Sequence, residues 1–176
     1  MAKHANHPKL AEAVNLVAEG YYEQAFHVGK SEPSLRGSLS DSARNYTLKA
    51  AEKWHLIVDE MAENPSLTPA ACYNLTRIYS RLGDPQMCLH YCNKLVDRWP
   101  NSDYAWRAHI AAIKAHKQQI AAGTASEAEA QGAMDRISDA LLETYPTSPA
   151  ASTIRKAREQ SQGPVQRDAG NSGDSK

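Results

Sequence analysis

The chain lacks a long apolar run. No stretch of its 176 residues approaches the ~18 consecutive apolar residues that a membrane-spanning helix requires. The opening segment, MAKHANHPKLAEAVNLVAEG, carries charges and histidines where a secretory leader needs an unbroken apolar stretch. We therefore expect no membrane insertion and a cytoplasmic location.

An excess of charge of one sign is also missing. Lys and Arg total 20, as do Asp and Glu, so the formal net charge is zero and the pI is about 7.1. A protein that coats nucleic acid through its net charge is strongly basic. The charge balance excludes that class, so nucleic acid is not an expected partner, although a local basic patch is still allowed.

Familiar catalytic and cofactor-binding motifs do not occur in the sequence. It contains no glycine-rich phosphate loop, no G-x-S-x-G turn and no H-E-x-x-H pair. Neighbouring carboxylates such as Asp59 and Glu60 point to different sides of a helix and are expected to be solvated. We therefore expect a non-enzymatic protein with no catalytic residue, no metal and no cofactor.

Cysteine is rare and its spacing is ambiguous. An odd count of three, Cys72, Cys88 and Cys92, predicts free thiols rather than a disulfide framework. Cys88 and Cys92 lie one helical turn apart with His90 between them, which suggests metal ligands, but the usual C-x2-C spacing is missing. Because a free cysteine packs like a small hydrophobic residue, we expect all three in the core.

Aromatic and β-branched residues are scarce, whereas alanine is abundant. The chain has one Phe and 13 Val plus Ile, against 28 Ala. Alanine is the best helix former and β-branched residues favour strands, so the composition predicts an all-α protein. Glycine and proline divide the sequence into predicted helices over 8–18, 21–29, 41–62, 69–82, 86–98, 103–122, 127–144 and 149–158. Gly20 is expected to break the first helix, and 30–40 is expected to be a loop.

The predicted helices 69–82 and 86–98 together follow a recognisable order of small, large and aromatic residues. Within 69–100 the ordered positions are Cys72, Leu75, Thr76, Tyr79, Gly83, Cys88, Cys92, Leu95 and Pro100. This order resembles the tetratricopeptide repeat, whose pattern is W-x2-L-G-x2-Y, A-x3-F and P over about 34 residues. Leu75 and Tyr79 are expected to be buried against the partner helix.

Weaker versions of this pattern extend the resemblance over about 8–158. The joints Trp99-Pro-Asn-Ser and Tyr145-Pro-Thr-Ser recur along the chain. They resemble the repeats of bacterial envelope-assembly and cell-division-coordinating proteins. The resemblance implies antiparallel helix pairs stacked as a short right-handed α-solenoid over 1–160. The polar, glycine-rich remainder, 161–176, is expected to be a disordered tail.

The resemblance also implies a concave face lined by the first helix of each pair. On that register the candidate binding residues are Tyr73, Asn74, Arg77, Arg81, Arg107 and Lys114. Asn74 matches an asparagine of the family's carboxylate clamp, but Tyr104 and Ala108 stand where the clamp has basic residues. Cations beside an aromatic suit an acidic peptide or a terminal carboxylate. We therefore expect a scaffold or adaptor that binds a peptide segment of a partner protein, or alternatively a homo-oligomer that assembles through its solenoid ends.

Overall fold

The computed structural model describes residues 8–31, 39–61 and 63–161. The described residues form helices and no strand, which confirms the all-α prediction. The helices are α1 (Pro8–Ser31), α2 (Asp41–His55), a π-helical segment (Leu56–Glu60), α3 (Leu67–Leu82), α4 (Pro85–Arg98), α5 (Ala105–Ala121), α6 (Glu127–Thr144) and α7 (Pro149–Ser161). Most of the predicted 30–40 loop, and the predicted tail beyond Ser161, lie outside the described residues.

The first helix is continuous, so the predicted break at Gly20 is wrong. Ala11, Ala18 and Ala25 are all buried and succeed one another at intervals of two helical turns. One continuous face therefore crosses Gly20, which itself points away from the neighbouring helices. A single glycine costs an exposed helix only about 1 kcal/mol relative to alanine, and the packing of this face outweighs that cost.

Replacing Gly20 by alanine is expected to raise the free energy of unfolding by about 0.5–1 kcal/mol. A Cβ atom at this position would meet no atom within 4 Å, so only the entropy of the unfolded chain changes. Gly83→Ala is the matched control and should destabilise, because Gly83 has a φ of 73°. Chemical denaturation of both variants checks the pair, and a loss of stability in Gly20→Ala would contradict a regular helix at this position.

The second helix changes its winding near its end. Ser40 caps α2 by accepting a hydrogen bond from the Ala43 backbone N–H. At the π-helical segment the Met61 N–H donates to the Leu56 carbonyl at 3.1 Å, a spacing of five residues. The predicted helix over 41–62 therefore stops at Glu60, and Ile57 and Val58 of the π-helical segment are both buried.

The pair formed by α3 and α4 closes through a short turn. Gly83 adopts the left-handed conformation that ends α3, and Asp84 caps α4 by accepting from the Met87 N–H. The sequence analysis missed a hydrogen-bonded turn just before α3, in which the Asn64 Oδ1 accepts from the N–H groups of Ser66 and Leu67. The helix itself begins at Leu67, two residues before the predicted position.

One large core connects the first five helices. Trp54 and Leu75 are 1% and 0% exposed at its centre. The three thiols of Cys72, Cys88 and Cys92 are free and buried among these side chains, which confirms their predicted place in the core. A smaller cluster around Leu141, Ala150 and Ala151 joins α6 and α7.

The helices pack in a regular order. Each helix contacts its neighbour along the chain, and α1 also contacts α3, α3 contacts α5, and α5 contacts α7. The odd-numbered helices therefore lie beside one another. This order places residues of α1, α3 and α5 around a common surface.

Candidate functional site

A cleft of about 220 Å³ opens where α1, α3 and α5 meet. Its lining residues are Tyr22, Tyr73, Thr76, Arg77, Ser80, Arg107, Ile110, Ala111 and Lys114. The structure thus brings together Tyr73, Arg77, Arg107 and Lys114 from the predicted binding set. Their side chains come from α3 and α5, whose contact fixes the two helices side by side.

Arg77 is exposed to solvent but held on two sides. Its Cζ atom lies 5.1 Å from the centre of the Tyr22 ring, within the range of a cation–π contact. Its Nη1 donates to the Asn74 Oδ1 at 3.3 Å. Asn74, predicted as a binding residue, is absent from the cleft lining and instead contacts the guanidinium that lines it.

Arg107 is held in a similar way from α5. Its Cζ atom lies 5.2 Å from the Trp106 ring and 5.7 Å from the Tyr104 ring. Tyr104 in turn stacks on Tyr73, with ring centres 5.4 Å apart and planes 29° apart. Aromatic faces therefore support both guanidinium groups of the cleft and join α3 to α5.

Arg81 is not among the residues that line the cleft. Its Nη2 lies 3.2 Å from the position that a Cβ atom would take on Gly29, in the last turns of α1. The absence of a side chain on Gly29 leaves room for this approach. Arg81 therefore contacts α1, which the repeat register alone did not predict.

Three cations line the cleft without an ion-pair partner among the described residues. Within the described ranges, the ion pairs join Lys53 to Glu52, His55 and Lys94 to Asp59, Arg98 to Glu63, and Arg158 to Asp139. None of them involves Arg77, Arg107 or Lys114. Since no described carboxylate neutralises these three cations, an anion entering the cleft meets free charge-assisted donors.

A second polar cluster lies where the π-helical segment meets α3 and α4. The two ring nitrogens of His55 lie 2.7 Å from the hydroxyls of Tyr79 and Tyr91. Asp59 contacts His55 at 3.3 Å and also pairs with Lys94. Tyr79 is only half-buried, unlike the prediction, because its hydroxyl reaches this cluster at the edge of the core.

The cluster is a hydrogen-bonded link between helices rather than a second cleft. The His55 imidazole meets one tyrosine hydroxyl at each ring nitrogen and so links α2 to α3 and α4. Desolvation opposes ionisation of Asp59, but hydrogen bonds from Lys94 and His55 outweigh it and hold the Asp59 pKa below its usual value. Burial raises the pKa values of Tyr79 and Tyr91. The cluster does not line the cleft between α1, α3 and α5.

The buried Cys72 thiol is a poor nucleophile. Burial raises the pKa of Cys72 to about 12, and its Sγ donates to the Tyr91 carbonyl at 3.5 Å. A thiol with a raised pKa is almost fully protonated at neutral pH and therefore unreactive.

Across the described residues, no three His, Cys, Asp or Glu side chains converge in a way that would hold a metal ion. No helix in this part of the chain is long and apolar enough to cross a lipid bilayer.

Comparison with known proteins does not identify a function for this cleft. No protein-family model, curated protein or solved structure matches the chain.

Proposed function

We propose that the chain is a non-enzymatic adaptor that binds an acidic peptide segment of a partner protein in the cleft between α1, α3 and α5. The observation that carries this proposal is the set of three cations without a described carboxylate partner: Arg77, Arg107 and Lys114. Two of them are guanidinium groups already supported by aromatic rings. Such groups lose less side-chain freedom when they grip a carboxylate.

The size of the cleft favours part of a longer chain over a small molecule. Pockets that enclose drug-sized ligands measure roughly 300–1,000 Å³. A cleft of about 220 Å³ has room for one or two side chains of a bound segment. The remainder of the segment would lie across the open surface of the odd-numbered helices.

We further propose that the helices form a short tetratricopeptide-like right-handed solenoid. The contacts between successive odd-numbered helices support this arrangement. The two recurring segments that begin with Trp99 and Tyr145 support it as well. Each of these residues ends its helix with similar backbone angles: φ is −134° and −126°, and ψ is 55° in both. In both joints the serine N–H, of Ser102 or Ser148, donates to that aromatic residue's carbonyl at 3.0 Å.

Octaglutamate carrying a neutral fluorophore is expected to bind the protein, whereas labelled octalysine is not. Fluorescence anisotropy measures both affinities. Because exposed charges are screened over ~8 Å at physiological ionic strength, raising NaCl from about 0.05 M to about 0.5 M should weaken the octaglutamate complex progressively. Equal affinity for both peptides, or affinity that does not change with salt, would contradict the proposal.

Self-assembly is the second candidate, and one observation favours it. Among the described residues, the large apolar side chains that are exposed lie on α1 and α2: Leu10, Leu16, Val17, Phe26 and Leu48. Large apolar side chains left exposed on one helix pair are available for contact with a second copy of the chain. If copies of the chain associate there, sedimentation equilibrium should show a mass that rises with concentration, and Leu16→Ser should reduce the rise. A monomer mass at every concentration would exclude this candidate.

A further inference from the structure

Tyr22 connects the core to the cleft. Its ring centre lies 5.7 Å from that of Trp54, which is 1% exposed. The Trp54 indole N–H donates to the Asn15 Oδ1 of α1 at 2.9 Å, so the tryptophan is fixed by α1 as well as by α2. The Arg77 guanidinium lies over the same Tyr22 ring. The contacts therefore run without interruption from α1 and the core to a cation of the cleft.

We infer that Tyr22 is a positioning residue that couples the docking of α1 to anion binding at Arg77. The inference rests on the proposed function. It adds α1 to a site whose residues, as predicted from the repeat pattern, lie on α3 and α5 alone. With the Tyr22 ring and Asn74 holding the guanidinium, Arg77 is oriented before an anion arrives. An unsupported arginine would have to be ordered during binding, which weakens the complex.

The coupling works in both directions. If docked α1 raises the affinity of Arg77 for an anion, a bound anion must stabilise docked α1 by the same factor. The same helix provides a matched comparison, because Phe26 holds Lys30 at 4.4 Å but does not line the cleft. A substitution at Phe26 removes an equivalent aromatic face from α1 without touching Arg77.

The test measures octaglutamate affinity in Tyr22→Leu, Tyr22→Phe and Phe26→Leu. Losing an exposed cation–π support should weaken binding about 2- to 5-fold in Tyr22→Leu. Tyr22→Phe keeps the ring and should bind like the parent protein, as should Phe26→Leu. In an Arg77→Ala background, Tyr22→Leu should cause no further loss, because it acts through Arg77.

Several results would overturn the inference. Unchanged affinity in Tyr22→Leu would do so, and so would an equal loss with and without Arg77, which indicates a structural role. The parent protein offers a measurement that does not depend on the variants folding: the Arg77 Nε–H resonance should be shifted by the Tyr22 ring current, and an unshifted resonance contradicts the contact. A parent protein that fails to bind octaglutamate overturns the proposed function and this inference with it. If the parent protein binds and Tyr22→Leu binds with unchanged affinity, only the inference is overturned.

Discussion

Replacing Leu75 by alanine is expected to lower the free energy of unfolding by about 2–5 kcal/mol. Leu75 is 0% exposed at the centre of the core that joins α1 to α5. Its truncation removes apolar burial and leaves a cavity that the surrounding helices cannot fill completely. Urea denaturation, followed by circular dichroism, measures the loss.

The same substitution at Leu16 provides the control. Leu16 is 68% exposed on α1, so Leu16→Ala should change stability by less than about 0.5 kcal/mol. If Leu75→Ala cost as little as Leu16→Ala, the position of α3 in the core would be wrong. The comparison therefore tests the packing without depending on any assumption about function.

The double variant Arg77→Ala, Arg107→Ala is expected to lose most octaglutamate binding while keeping its helical content. Each single substitution should cost about 1–3 kcal/mol of binding free energy, the range for a hydrogen bond to a charged group. Both side chains are exposed, so their removal leaves the core intact. Anisotropy titrations give the affinities, and circular dichroism checks the fold.

Two further variants sharpen this experiment. Arg44→Ala removes an exposed arginine of α2 that does not line the cleft, and it should leave binding unchanged. Arg77→Lys keeps the positive charge but loses the planar guanidinium, which can donate two parallel hydrogen bonds to one carboxylate. If Arg77 binds the peptide in this bidentate way, Arg77→Lys should lower the affinity for octaglutamate. Undiminished binding by the double variant would show that the basic cleft is only a solvated surface.

Sequence patterns predict the helices well where strong signals coincide. The range of α6 was predicted correctly because Ser126 provides a cap and Pro146 follows the end. The break at Gly20 was wrong because one glycine is a weak signal. The buried face that overrides it consists of alanines, which are common throughout this sequence and so mark no face by themselves.

The candidate site was predictable only in part. The repeat pattern grouped Arg77 with Arg107, and both line the cleft. It placed Arg81 in the same groove, although Arg81 contacts the glycine-containing end of α1. It omitted Tyr22 because the neighbour of Arg77 on another helix depends on how α1 docks. No local pattern encodes that tertiary contact.

An NMR titration of the isotope-labelled protein with octaglutamate locates the residues that bind the peptide. If the cleft binds an acidic segment, the backbone amide resonances that shift should cluster around Tyr22, Tyr73, Arg77, Arg107 and Lys114, which line it. If the shifts are confined to α2, α4 and α6 and these resonances do not move, the acidic peptide does not bind in the cleft and the proposed function is wrong.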